Sequence, residues 1–237
     1  GWKIDTLFDH WSFLALQHKD LPGQTFAFTV PEVFTASAPN DRGRGLFKVE
    51  HQPWILNEEG ATMSESESKY AYSIKIVPGA NDSIKWINWE ISFTNKGIDT
   101  VRDLAAFNCF NLQHASWFTD TLLERTWVSD RDNNPVLLNQ IERRSGGTRR
   151  NMQFYQVENG IKDLSRSHWI SHWDVISNDT LTGKEIILIS LKGDWKITNK
   201  VNSRVAYFFA NSESTHGCIH AAPLIADDLL PGQTAKA

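Results

Sequence analysis

The side chains best suited to chemistry lie in two short segments. In Thr215-His216-Gly217-Cys218-Ile219-His220 the residues His216, Cys218 and His220 recur at every second position, so in an extended strand all three point to one face. Cys109 lies in a second apolar, strand-like segment with His114 five residues beyond it. If the two strands are neighbours, His114 can join the first group. Three imidazoles with a carboxylate such as Asp120 are the donor set of a zinc, copper or iron site. The same groups suit metal-free acid–base catalysis: one of His114, His216 and His220 takes or gives the proton, Asp120 orients it or acts as a second acid, and Arg125 stabilises developing negative charge. Histidines that only make local hydrogen bonds are the third reading.

Further groups could hold a substrate. His168 and His172 share one face of an extended segment whose other face carries Trp169 and Trp173. Arg143, Arg144, Arg149 and Arg150 surround Ser145-Gly146-Gly147-Thr148, a loop able to clamp carboxylate or sulfate groups or simply an exposed hairpin tip. Ten tryptophans are an unusual number for 237 residues. Trp86 and Trp117 are the candidates for stacking against sugar rings, whereas most of the others are expected to fill a core. Asp130, Asp132 and Asn134 alternate as calcium ligands do, but the glycine and distal glutamate of an EF-hand are missing, so a turn held by side-chain carbonyls is the expectation. The expected cofactor is none, with a divalent transition metal or calcium as the alternative.

These residues must be positioned by strands. Ile87, Trp89, Ile91 and Phe93 alternate with Trp86, Asn88, Glu90 and Ser92, a period of two that separates a core row from an open row. Asn95-Lys96-Gly97 then offers a turn into Val101 to Leu112, apolar on both parities as in a strand covered on both faces. Phe26 to Val30, Leu46 to His51, Tyr70 to Val77, Phe154 to Val157, Trp169 to Ile176, Ile186 to Leu191 and Arg204 to Ala210 give further strand signals, and Trp127 to Leu138 reads as a hairpin. Asp9 to Leu16 favours a strand over a short helix. Runs of this length with Gly, Asn and Asp between them predict an all-β fold, an antiparallel β-sandwich of supersandwich or jelly-roll type with few or no helices. The whole chain, residues 1–237, is expected to form one domain. Leu230-Pro-Gly-Gln-Thr234 repeats Leu21-Pro-Gly-Gln-Thr25, which launches a strand, so the sequence reads as clipped near a last strand.

Composition removes several classes. With 24 basic and 28 acidic residues the net charge is -4, which gives no electrostatic footprint for nucleic acid. No apolar run reaches the roughly 18 residues of a membrane span. Gly-x-Ser-x-Gly, P-loop, His-Glu-x-x-His and dinucleotide fingerprints are all missing, so serine hydrolase, NTPase, zincin and Rossmann readings lose their support. Cys109 and Cys218 allow one disulfide, but free thiols are the expected state.

Glu90-Ile91-Ser92-Phe93-Thr94-Asn95-Lys96-Gly97, followed by Phe110-Asn111-Leu112, resembles the galactose-mutarotase-like β-sandwich family, whose members carry a strand ending in Thr-Asn and then His-Pro-Tyr-Phe-Asn-Leu. The resemblance implies an antiparallel sandwich with a sugar-handling concave face. Phe107 stands where that family has its histidine. The segment from Cys218 to Pro223 and the Leu-Pro-Gly ending are similar to exported bacterial proteins, which implies a secreted or periplasmic location. Together these readings predict a carbohydrate-active enzyme that cleaves or isomerises a poly- or oligosaccharide, with lyase chemistry on an acidic glycan the favoured form. A non-catalytic glycan-binding module and a histidine-rich metal-binding protein are the alternatives. The expected partner is a carbohydrate substrate.

Overall fold

Alternating apolar residues organise most of the described chain into strands. The computed structural model describes residues 1–7, 10–37, 52–141, 153–156, 175–177, 180–211 and 217–237. The strands are β1 (Trp2–Leu7), β2 (His10–His18), β3 (Phe26–Thr29), β4 (Phe34–Ser37), β5 (Ile55–Asn57), β6 (Gly60–Ser66), β7 (Tyr70–Ala80), β8 (Lys85–Asn95), β9 (Val101–Ala106) and β10 (Cys109–Asn111). There follow β11 (Thr126–Asp130), β12 (Pro135–Leu137), β13 (Gln153–Gln156), β14 (Val175–Ser177), β15 (Leu181–Ile189), β16 (Lys196–Lys200), β17 (Val205–Asn211), β18 (Cys218–Leu229) and β19 (Thr234–Lys236). The only helical elements among the described residues are two 3-10 turns, Ser116–Phe118 and Leu138–Gln140. The antiparallel, sandwich-like all-β fold is therefore as the sequence predicts. Among the described ladders only β13–β14 is parallel.

Three sheets share the core. The largest runs β1-β2-β3-β10-β18-β17-β13-β14, with β9 joined to the far half of β18 and β4 joined to β9. A five-stranded sheet runs β19-β8-β7-β6-β5 and a four-stranded one β12-β11-β15-β16. Register places Phe110 opposite Phe28 and Ile219, and Phe28 opposite Leu14. These side chains therefore form one face of the large sheet. Both smaller sheets pack on that face: Trp89 of β8 lies 6.1 Å from Phe28 between ring centroids, and Gly183 of β15 lies against Phe208 of β17, which opposes Ala221. Gly183 has φ +62, and a Cβ there would meet the Phe208 ring at 2.9 Å, so glycine meets both the backbone and the packing requirement.

Several expectations change in the structure. The segments on either side of Asn95-Lys96-Gly97 do not form a hairpin: β8 pairs with β7 and β19, whereas β9 pairs with β18 and β4. The chain crosses between sheets here, and burial of Leu104, Ala105 and Ala106 on both parities is what a bridging central strand requires. The expected run from Val101 to Leu112 breaks at Phe107 and Asn108. Lys196–Lys200, without an apolar row of any length, is a strand because it completes the edge beside β15. Leu46 to His51 and most of Trp169 to Ile176 lie outside the described residues. The expected hairpin within Trp127 to Leu138 is β11–β12, and Asp130 Oδ1 accepts the backbone N–H groups of Asp132 and Asn134, the predicted side-chain turn. Leu230-Pro-Gly-Gln-Thr234 again leads into a strand, β19.

Candidate functional site

A cleft of about 760 Å³ opens along the seam where the two smaller sheets meet the large one. Its floor is the apolar face of the large sheet: Leu16, Phe26, Phe28 and Phe110. One wall is the run Ser83 to Trp89 and the other the run Lys196 to Lys200. Consecutive residues line each wall because both are sheet edges. β16 is the outermost strand of its sheet, and the β19 segment covers β8 from Ile91 to Asn95. Alternate backbone N–H and C=O groups of an edge strand point away from the ladder, so the walls offer main-chain donors and acceptors as well as side chains.

Four tryptophans line this cleft: Trp2, Trp86, Trp89 and Trp195. Trp86 is 36 % exposed and lies on Gly79, its partner across the β7–β8 ladder. A Cβ on Gly79 would stand 2.4 Å from the indole, so the ring's position depends on that glycine. Trp2 donates its indole N–H to the Gly79 carbonyl at 3.2 Å. Polar groups frame the rings: Asn88, Asn199 and Asn202, three lysines (85, 196 and 200), Glu185 and Asp194. Glu185 pairs with Lys200 at 2.6 Å.

His18 also lines the cleft. Its Nδ1 accepts the Asp20 N–H at 3.2 Å, and the Trp2 ring meets it edge-on at 5.0 Å. Burial lowers its pKa below the ordinary histidine value; the Asp20 carboxylate opposes this, while the N-terminal amine, Lys85 and Lys19 reinforce it. The folded value thus lies below the unfolded one of about 6.5, so the stabilisation from His18 is fully present above pH ~6.5 and is lost as pH falls through the folded value. His18→Gln is expected to flatten the acid side of the stability curve. Thermal melts with the same acid loss in variant and parent would contradict this.

The second cluster lies on the other face of the large sheet. Asn111 is opposite both Ala27 and Cys218, and Cys109 is opposite Thr29. These residues and His220 therefore have the parity opposite to that of Phe110. The two cysteine-bearing strands are neighbours, which the sequence had left open. Asn108 fixes their relation: its N–H donates to the Ala221 carbonyl at 3.1 Å and its Oδ1 accepts the Ala221 N–H at 2.8 Å. Cys109 and Cys218 are free thiols with sulfurs 3.8 Å apart, and Asn111 Nδ2 donates to Cys218 Sγ at 3.3 Å. His220 Nδ1 lies 3.1 Å from Glu32 Oε2, and the Phe107 ring packs edge-on against the imidazole at 6.0 Å. The hydrogen bond from Cys109 pulls the Cys218 thiol down to about 5 against the effect of burial, with His220 assisting. Burial alone would lower His220, but Glu32 and Cys218 outweigh it and raise the imidazole to about 10.

Of the other expected site residues, His114, Asp120, Arg125 and Trp117 stand apart from both clusters. His114 is exposed, and its carbonyl accepts the Thr25 N–H at 3.0 Å. Asp120 is 8 % exposed, and its carboxylate accepts the N–H groups of Glu124 and Arg125 at 3.1 and 2.9 Å and the Thr126 hydroxyl at 2.7 Å. Arg125 donates to the carbonyls of Thr119 and Ile189. These two residues hold the loop that enters β11, and neither lines the cleft. Trp117 also lies outside the cleft lining, with Lys192 Nζ 5.6 Å from its ring centre. Trp86 lines the cleft. His216, Arg143, Arg144, His168 and His172 lie outside the described residues. Sequence reasoning missed Glu32, 186 positions before Cys218, for which no local signal existed. It also missed Trp195, whose only signal was the tryptophan count. No protein-family model, curated protein or solved structure matches the chain.

Proposed function

We propose that the protein binds a carbohydrate in the seam cleft, with sugar rings stacked on Trp86 and its neighbours. The observation that carries this reading is the combination of four tryptophans with amide and main-chain edge groups in one cleft of about 760 Å³. Sugar rings have apolar C–H faces and a rim of hydroxyls, so they match flat aromatic surfaces bordered by donors and acceptors. Binding is favoured over lyase or epimerase chemistry because His114, Asp120, Arg125 and His220 stand outside the cleft lining.

Titration of the intrinsic tryptophan fluorescence with neutral and uronate-containing oligosaccharides tests the reading, after a glycan array has supplied candidates. Trp86→Ala is expected to weaken binding roughly tenfold, the worth of about 1.4 kcal/mol of stacking. Gly79→Ala should do nearly the same while retaining every cleft side chain, because the new methyl displaces the indole. Binding that survives both substitutions, or an array without a saturable ligand, would overturn the proposal. A preference for extended peptides would instead assign the strand edges to β-augmentation.

A further inference from the structure

We propose that Cys109, Cys218 and His220 form a binding site for a thiophilic divalent cation of the zinc type, built into the face of the large sheet opposite the cleft. The proposal is independent of glycan binding. One donor atom from each of the three residues lies within 4.8 Å of the others. The sulfur–sulfur separation is 3.8 Å, and a tetrahedral ion with Zn–S bonds of about 2.3 Å requires an edge of about 3.8 Å. Two thiolates and an imidazole are the soft and borderline ligands that such ions select.

The surroundings fit the same reading. Metal-bound histidines commonly donate their second ring nitrogen to a carboxylate, which fixes the ring and raises its basicity. Glu32 is placed for this at 3.1 Å from His220 Nδ1, leaving Nε2 as the ligand atom. Glu32 is itself held in place, because its N–H donates to the Phe107 carbonyl at 2.8 Å and Phe107 N–H donates to the Val33 carbonyl at 2.9 Å. The Asn111 amide supplies an N–H to Cys218 Sγ, as suits a sulfur bearing negative charge. The site is preorganised: Cys109 and His220 are buried and fixed by the Asn108 clamp, whereas Cys218 is only partly buried. Three protein ligands are present among the described residues, and a tetrahedral zinc ion completes its shell with a fourth donor.

The test uses the full chain, reduced and dialysed against a chelator, then titrated with Co²⁺ and with Zn²⁺ in competition with a chromophoric chelator. One equivalent of Co²⁺ should produce a thiolate-to-metal charge-transfer band and strong visible bands of a tetrahedral ion, both lost on adding Zn²⁺. Cys218→Ser and His220→Ala should each weaken Zn²⁺ binding at least a hundredfold. Glu32→Gln should weaken it roughly tenfold to a hundredfold while retaining the charge-transfer band. Should either ligand variant misfold, mild oxidation of the parent to a Cys109–Cys218 disulfide provides the second arm, with loss of Co²⁺ binding and recovery on reduction expected. Reduced, folded protein that takes up no stoichiometric Co²⁺ or Zn²⁺, or uptake indifferent to oxidation, would overturn the proposal.

Discussion

Replacing Asp120 with alanine is expected to destabilise the fold by about 3–5 kcal/mol, the summed cost of leaving two partly buried backbone N–H groups and a buried hydroxyl without their acceptor. The carboxylate is 8 % exposed and collects two backbone N–H groups and the Thr126 hydroxyl, with the Arg125 guanidinium 3.9 Å away. Alanine leaves these donors facing a small void. For a chain of this size each kcal/mol shifts Tm by about 2–4 °C, so a fall of roughly 10 °C should appear in calorimetry. Asp120→Asn, which keeps the shape and one acceptor oxygen, should lose less. The same pair separates the structural role from the catalytic one anticipated from sequence. A general acid would lose turnover with Tm unchanged, whereas a loop anchor loses Tm in proportion to the acceptors removed.

Asp120 also illustrates what the sequence can and cannot reveal. Strand alternation is a local property, and Ile87 to Phe93 announce β8 because every second side chain meets one core. Sheet membership is not local. Nothing in Asn95-Lys96-Gly97 distinguishes a hairpin from a crossing, and the choice was made by β18, whose far half offers β9 a partner more than a hundred positions away. The Cys218–His220 pair was legible because a period of two places both on one face, and its proximity to Cys109 followed once β10 and β18 paired. Glu32 was not legible, since only the docking of Phe107 between Glu32 and Val33 brings that carboxylate to the imidazole. The cleft was half legible. Trp86 stood on the open row of β8, but Trp2 and Trp195 reach the same seam from β1 and the turn before β16, and only the packing of three sheets creates that seam.

Phe34→Ala is expected to have an effect as large as that of Asp120→Ala, because Phe34 joins the sheets whose packing sets the position of the β8 wall. Its side chain has no exposure, and its ring meets Tyr72 of β7 and Phe93 of β8 edge-on at centroid distances of 5.3 and 5.0 Å. Phe93 in turn stacks on Tyr70 at 5.8 Å. Truncation removes the transfer free energy of the ring and leaves a cavity between two sheets that cannot collapse without moving both, so about 3–5 kcal/mol should be lost. Phe34→Leu retains most of the volume and should cost about 1.5 kcal/mol or less. Urea unfolding curves check both, with the midpoint falling while the slope stays constant. If Phe34→Ala proved as mild as Phe34→Leu, the two sheets would not be held by this aromatic cluster. A second readout follows from the geometry: the wall from Ser83 to Trp89 is the free end of the strand that carries Phe93. Loosening Phe34 should therefore change the emission of the cleft tryptophans before global unfolding, and in Phe34→Leu that change should be much smaller.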